Sequence, residues 1–195
     1  RAQALFKPIP DSVEADEKTV ELGRALFHDP LLSKDGTISC ATCHVIADGG
    51  VDGTPTSQGI YDQWGPINSP TVLNSGYHFV QFWDGRAADL QEQAAGSVED
   101  TLKMGDDWDN VVEKLKNNET YARIFADLYE DGVTADNATH AIAEFEKTLI
   151  TPDAPFDLYL KGDKEALNEQ ERRGLQACID TGCMACHSAG ASEKL

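Results

Sequence analysis

The sequence is poor in positive charge and has no long apolar run. Its 195 residues include 16 lysines and arginines against 34 aspartates and glutamates, a net charge of −18. Such a surface repels phosphate backbones, so we do not expect nucleic-acid binding. No apolar run approaches the roughly 20 residues of a membrane-spanning helix, so no membrane span is expected. Apolar residues still form 41% of the chain, which is typical of a folded globular protein.

Cysteine is also scarce, with five residues in the chain. This number is too small for a disulfide framework at this length. Four of the five belong to two copies of the pattern C-x-x-C-H, at residues 40–44 and 183–187, and Cys178 stands alone. The positions of the cysteines are therefore more informative than their number.

The C-x-x-C-H pattern is the attachment signature of c-type haem. Its two thiols can form thioethers to the vinyl groups of haem, and the histidine that follows can ligate the iron. A redox-active C-x-x-C pair needs no such histidine, and a zinc site would have to combine both distant motifs. The chain is therefore predicted to bind two covalent haem c groups. The attachment residues are Cys40, Cys43 and His44 for the first haem, and Cys183, Cys186 and His187 for the second.

Covalent haem attachment also implies a cellular compartment. Bacteria attach c-type haem outside the cytoplasmic membrane, so we expect a removed export signal and a periplasmic location. The acidic surface favours a basic protein partner, because complementary charge steers the encounter of two proteins.

Much of the remaining chain has helical periodicity. Residues 134–150 place Ala138, Ile142 and Phe145 on one apolar stripe, after Thr134 as a capping residue. Shorter helices are predicted over residues 13–27, 86–95, 107–116, 119–130 and 163–178.

One long segment is predicted to be irregular. Glycines and prolines exclude a long helix between His44 and Phe82, and we expect this Gly/Pro-rich loop to wrap the first haem. The segment Pro152 to Gly162 is predicted to connect to a second haem unit. A weak internal repeat aligns Cys178 with Phe27, so Cys178 is expected to be a buried apolar residue.

Three runs of sequence resemble the bacterial dihaem cytochrome c peroxidases. They are GPINSPTVLN at 65–74, QFWDGRAADL at 81–90 and LITPDAPFD at 149–157. The resemblance implies a mostly α-helical fold of two cytochrome c-like haem domains. Residues 1–151 would form the peroxidatic, low-potential haem domain, and residues 152–195 would begin the electron-transfer, high-potential haem domain.

The resemblance also implies an activity and roles for individual residues. Trp83 matches a tryptophan between the haems, Gln93 matches a glutamine of the peroxide pocket, and Asn68 matches an asparagine that helps to hold a calcium ion. The implied activity is the reduction of hydrogen peroxide to water, with electrons from a small c-type cytochrome or a cupredoxin. Family analogy favours a homodimer.

Two positions depart from the family pattern. Ile60 stands where the family usually has a removable distal histidine, so the first haem is predicted to be open. His78, in the same region, is the alternative distal ligand. Lys103 replaces the usual catalytic glutamate, which leaves Glu99 or Asp100 as substitutes for proton transfer.

These departures leave two alternatives to a peroxidase. One is a dihaem electron-transfer protein, and the other is a family relative that oxidises a protein side chain. Eight residues follow His187, and neither methionine, Met104 or Met184, is placed to ligate the second haem. We therefore expect the chain to be a fragment of a longer protein, with an incomplete second domain.

Overall fold

The computed structural model describes residues 5–187, which are helical and contain no β-strand. The helices are α1 (Glu17–His28), α2 (Cys40–Cys43), α3 (Leu90–Glu99), α4 (Trp108–Asn117), α5 (Glu119–Leu128), α6 (Ala135–Lys147), α7 (Pro155–Lys161) and α8 (Glu169–Asp180). Short 3-10 turns occur at Pro30–Leu32, Ile46–Asp48, Ile60–Asp62, Ser75–Tyr77 and Cys183–Ala185. Within residues 5–187, every helix is too short or too polar to cross a lipid bilayer.

The described residues form two compact units. The larger unit contains residues 14–149 and helices α1 to α6, and the smaller unit contains residues 5–13 and 150–187. The predicted division into two haem domains, between residues 151 and 152, stays a prediction. The two compact units are defined by packing alone and not by haem binding.

Capping side chains determine where several helices begin. The Thr134 hydroxyl accepts a hydrogen bond from the Asn137 N–H at 3.1 Å, so α6 has its predicted cap. The carboxylate of Asp89 accepts from the Glu92 N–H at 2.9 Å. Because Asp89 is the cap, α3 begins at Leu90, later than the apolar pattern predicted.

Helices α1 and α6 form the centre of the larger unit. The Phe27 and Phe145 rings pack edge to face, with centroids 5.3 Å apart. Gly23 lies where the two helix backbones meet, and a Cβ atom there would be 1.8 Å from the Ala141 carbonyl oxygen. The close approach of α1 and α6 therefore requires glycine at this position.

The smaller unit joins two segments that are far apart in sequence. The Ile9 N–H donates to Asp157 Oδ1 at 2.7 Å, and the rings of Phe6 and Phe156 pack with centroids 5.2 Å apart. Asp157 is 6% exposed, so the bond from Ile9 satisfies a buried carboxylate.

The smaller unit contains one helix that the sequence did not predict, and one prediction for it is wrong. The segment Pro152 to Gly162 contains α7, since Pro155 is tolerated in the first turn and Gly162 ends the helix at φ 117°. That this segment connects to a second haem unit stays a prediction. Cys178 is half-buried rather than part of the core. The repeat aligns it with Phe27, which is buried against α6, whereas α8 buries no side chain among the described residues.

Candidate haem site

A large, mostly apolar cavity lies beside the first C-x-x-C-H motif, within the larger unit. Its volume is about 1190 Å³, which includes space that is open to solvent. Phe27 of α1, Ala94 of α3 and Ile142 of α6 contribute to its walls. Residues 57–59 and 65–72 of the Gly/Pro-rich loop also line it, so the loop wraps the first motif as predicted. A planar and largely apolar group such as haem fits this lining.

Helix α2 holds the first pair of thiols at the cavity wall. Ser39 and Thr42 form the cap of this helix. The Thr42 side chain accepts a hydrogen bond from the Ser39 N–H at 2.9 Å. The His44 N–H donates to the Cys40 carbonyl at 3.0 Å, so the turn continues into the histidine. Burial raises the pKa of the Cys40 thiol to about 12 and also raises the pKa of Cys43. Both thiols are therefore protonated in the folded chain at neutral pH.

The imidazole of His44 lines the cavity and is held by the backbone of the Gly/Pro-rich loop. Its Nδ1 lies 3.3 Å from the Gly50 carbonyl oxygen, and the tautomer that donates this bond leaves a lone pair on Nε2. Burial lowers the pKa of His44, which favours the neutral ring that binds metals. Gly50 has a φ of 75°, and a Cβ there would lie 2.7 Å from Thr71 Oγ1. Glycine is therefore required at the position that orients His44.

Ile60 and His78 do not line the cavity. Ile60 is 2% exposed and belongs to the hydrophobic core, where its N–H donates to the Lys103 carbonyl at 2.9 Å. Its side chain fills the space above Gly105, where a Cβ would lie 2.3 Å from Ile60 Cδ1. The side chain of His78 is exposed. The suggestion that His78 is a distal ligand is therefore not supported by its position.

Asp100 and Lys103 bring opposite charges to the same cavity. Lys103 Nζ lies 3.5 Å from Asp100 Oδ2 and 4.6 Å from the centroid of the Phe82 ring. Burial lowers the pKa of Lys103, and Asp100 opposes this shift. Glu99, the other candidate carboxylate, is exposed and lies outside the cavity lining. Of the two acidic residues that the sequence suggested for proton transfer, Asp100 therefore lines the cavity and Glu99 does not.

Gln93, Trp83 and Asn68 also lie at the cavity. Gln93 projects from α3, and its Nε2 donates to Ser97 Oγ at 2.9 Å. Trp83 is 65% exposed, and its Nε1 donates to the Asn68 carbonyl at 3.0 Å. The Asn68 amide donates to the Thr54 carbonyl at 2.7 Å. Residues 5–187 contain no cluster of three or more histidine, cysteine or acidic side chains suited to a metal ion, so calcium binding stays a prediction.

Sequence reasoning missed Glu146. This residue of α6 lines the cavity and is 4% exposed, and its Oε2 atom has no hydrogen-bond partner among the described residues. Glu146 follows Ile142 by four residues, which places an acidic side chain on the apolar face of α6. This position in the sequence could have identified it as a candidate site residue.

The second C-x-x-C-H motif shares one backbone hydrogen bond with the first, although Cys183–Ala185 is a 3-10 turn and Cys40–Cys43 is an α-helix. The His187 N–H donates to the Cys183 carbonyl at 3.0 Å, the same bond that joins His44 to Cys40. Cys183, Cys186 and His187 are exposed among the described residues of the smaller unit. Attachment of a second haem by these three residues stays a prediction.

The sequence model of the di-haem cytochrome c peroxidase family matches residues 17–165. Cytochrome c peroxidase Ccp of Escherichia coli (strain K12) is 50% identical over 182 residues, which cover 93% of this chain and 39% of that protein. Cytochrome c551 peroxidase of Pseudomonas aeruginosa is 46% identical over 197 residues, which cover 96% of this chain and 57% of that protein. The chain therefore spans about half the length of the curated relatives that it matches.

A solved structure has a similar fold. A MauG-like protein associated with microbial copper homeostasis superimposes with a TM-score of 0.76 and is 28% identical. The superposition covers 88% of this chain and 52% of that one. The mostly α-helical fold that the resemblance implied is confirmed.

Proposed function

The chain belongs to the di-haem cytochrome c peroxidase family, and on this basis we propose that it reduces hydrogen peroxide to water in the periplasm. Electrons would come from a small c-type cytochrome or a cupredoxin. The observation that carries the proposal is the cavity beside Cys40, Cys43 and His44, which also presents Gln93 and Asp100.

Each C-x-x-C-H motif would hold one haem c. Cys40 and Cys43 would form the thioethers of the first haem, and His44 would ligate its iron through Nε2. Cys183, Cys186 and His187 would do the same for the second haem. When bound, the haem groups supply the redox chemistry of the reaction.

The residues around the first motif would control proton movement. Reduction of one peroxide consumes two electrons and two protons and gives two water molecules. Asp100 would accept a proton from bound peroxide and return it to the departing oxygen, which is general acid–base catalysis. Lys103, whose Nζ lies 3.5 Å from Asp100 Oδ2, would place positive charge at the cavity and favour negative charge on the departing oxygen. Gln93 would hydrogen-bond the bound peroxide.

The surface charge and two exposed groups support a role for partners. The net charge of −18 favours encounter with a basic electron donor. Trp83, which is exposed at the cavity, would lie on the electron path, and Asn68 would contribute to a calcium site.

Steady-state turnover with reduced cytochrome c tests the proposal. The experiment uses holoprotein in which mass spectrometry of the denatured chain has confirmed two covalent haems. Asp100→Asn should lower kcat by about 100-fold or more, because positioned general acid–base groups contribute factors of this size. Glu99→Gln is the matched control, since Glu99 is exposed outside the cavity, and should leave kcat unchanged. Absence of turnover in the two-haem protein would instead support an electron carrier or an enzyme that oxidises a protein side chain.

A further inference from the structure

Glu146 is a buried acid that the proposed reaction does not use. It projects from α6 into the wall of the cavity, is 4% exposed, and leaves Oε2 without a hydrogen-bond partner among residues 5–187. Buried polar atoms are nearly always hydrogen-bonded, because an unpaired one loses its interaction with water without compensation. A carboxyl group kept in such a place therefore needs a functional explanation.

Burial, and not a neighbouring charge, shifts the pKa of Glu146. The titratable and charged groups on the elements packed against α6 include Arg24 and His28 on α1, Tyr77 in the Ser75–Tyr77 turn, Glu99 on α3 and Lys114 on α4. Cys40, His44, Asp100 and Lys103 line the same cavity as Glu146. Arg24 and His28 lie against the ring of Phe145, and Lys114 is bonded to Asp106 at 2.6 Å. Desolvation by burial, with no contribution from these groups, raises the pKa of Glu146 to about 8.

Cys40 is the titratable group that Glu146 influences directly. The negative charge of Glu146 contributes to the raised pKa of the Cys40 thiol, so the two side chains are electrostatically coupled. A thioether at Cys40 would remove this thiol from titration and would place the first haem beside Glu146. The positive charge of the oxidised haem iron would favour the ionised form of Glu146, and reduction would remove that charge.

We propose that Glu146 takes up a proton from solvent when the first haem is reduced by one electron. This inference rests on the proposed haem site at Cys40, Cys43 and His44. Gain of the electron lowers the charge of the site by one, and the O–H bond formed on the Glu146 carboxylate restores it. One electron and one proton thus enter together, which is the stoichiometry per electron that peroxide reduction requires.

The midpoint potential of the first haem, measured by spectroelectrochemistry of the holoprotein, tests this coupling. On both sides of about pH 8, the potential of the wild-type protein should fall as the pH rises, because ionised Glu146 favours the oxidised haem. The slope has a limit of about 59 mV per pH unit, the equivalent of a tenfold change for one electron. Glu146→Gln cannot ionise, and its potential should stay near the low-pH value of the wild type.

The matched control is Glu144→Gln, the same substitution on the same helix. Glu144 is paired with Lys147 at 2.6 Å, so this variant should keep the wild-type slope. A slope that survives in Glu146→Gln would overturn the proposal and assign the proton to another group, such as a haem propionate. Should Glu146→Gln fail to fold, infrared difference spectra of the wild type must show a protonated carboxyl signal appearing on reduction, and its absence would also refute the coupling.

The same data distinguish this inference from the proposed activity. The potential is measured without peroxide, so a protein without turnover can still show the coupling. Turnover in a protein whose potential is independent of pH would refute the role of Glu146 and leave the peroxidase intact.

Discussion

Replacement of Gly23 by alanine tests the contact that shapes one wall of the cavity. Gly23 lies in the middle of α1, and a Cβ atom there would be 1.8 Å from the Ala141 oxygen and 2.9 Å from Phe145 Cβ. Both obstacles belong to α6, and the first is backbone, which cannot rotate away. Helices α1 and α6 would therefore have to separate by more than 1 Å, to about the ordinary contact distance.

The expected cost follows from the core that this separation would open. Leu26, Phe27 and Ile142 are each no more than 1% exposed, and all lie on the two helices concerned. Overpacking of a well-packed core costs typically about 1–3 kcal/mol. Alanine gains about 0.5–1 kcal/mol of helix propensity over glycine, which offsets only part of this cost. The obstacle is backbone, so the cost lies at the upper end of this range, and we expect Gly23→Ala to lower the free energy of unfolding by about 2 kcal/mol.

Urea denaturation of the holoprotein, followed by circular dichroism, measures this loss. Gly96→Ala is the matched control, because Gly96 is inside α3 and its Cβ would lie 3.6 Å from the Phe82 ring, an ordinary contact. That variant should be stabilised by about 0.5–1 kcal/mol. If Gly23→Ala is as stable as the wild type while Gly96→Ala behaves as expected, the helices do not approach as closely as described.

Two further predictions concern the first haem and the calcium site. Electron paramagnetic resonance of the oxidised protein should show a high-spin signal from the first haem, since Ile60 is in the core and Lys103 is paired with Asp100. Low-spin signals alone would contradict this and point to Lys103 or Met104, which line the cavity. Asn68→Ala should abolish any stabilisation of the holoprotein by added calcium, measured as a shift in Tm. An unchanged shift would remove Asn68 from the calcium site.

The longer helices could be predicted from the sequence because their signals are local. Helix α6 combines an apolar stripe with Thr134 as its cap, and the structure confirms both. Helices α2 and α7 contain four and seven residues, too few for a stripe to repeat, and periodicity therefore missed them. The C-x-x-C-H motifs could be recognised despite their short length, because their chemistry depends on the spacing of particular residues within five positions.

The lining of the cavity could be predicted only in part. Glu99 and Asp100 are neighbours in sequence, yet α3 ends between them, so Asp100 faces the cavity while Glu99 faces solvent. Ile60 was placed by register with the family, but a 3-10 turn directs its side chain into the core. Glu146 faces the cavity because α6 packs against α1, a contact between residues far apart in the chain. Such contacts depend on tertiary packing and leave no local pattern.

The discontinuity of the smaller unit imposes an order on folding. Residues 14–149 are continuous, so the unit that carries the first haem motif has all its packing partners once residue 149 has been synthesised. Ile9 has to wait for Asp157, which lies 148 positions later in the chain. Because domains fold as units as the chain emerges from its N-terminus, the first motif would reach its native surroundings before residues 5–13 find theirs. A haem-attachment machinery acting on the emerging chain would therefore meet the first site folded and the second still incomplete.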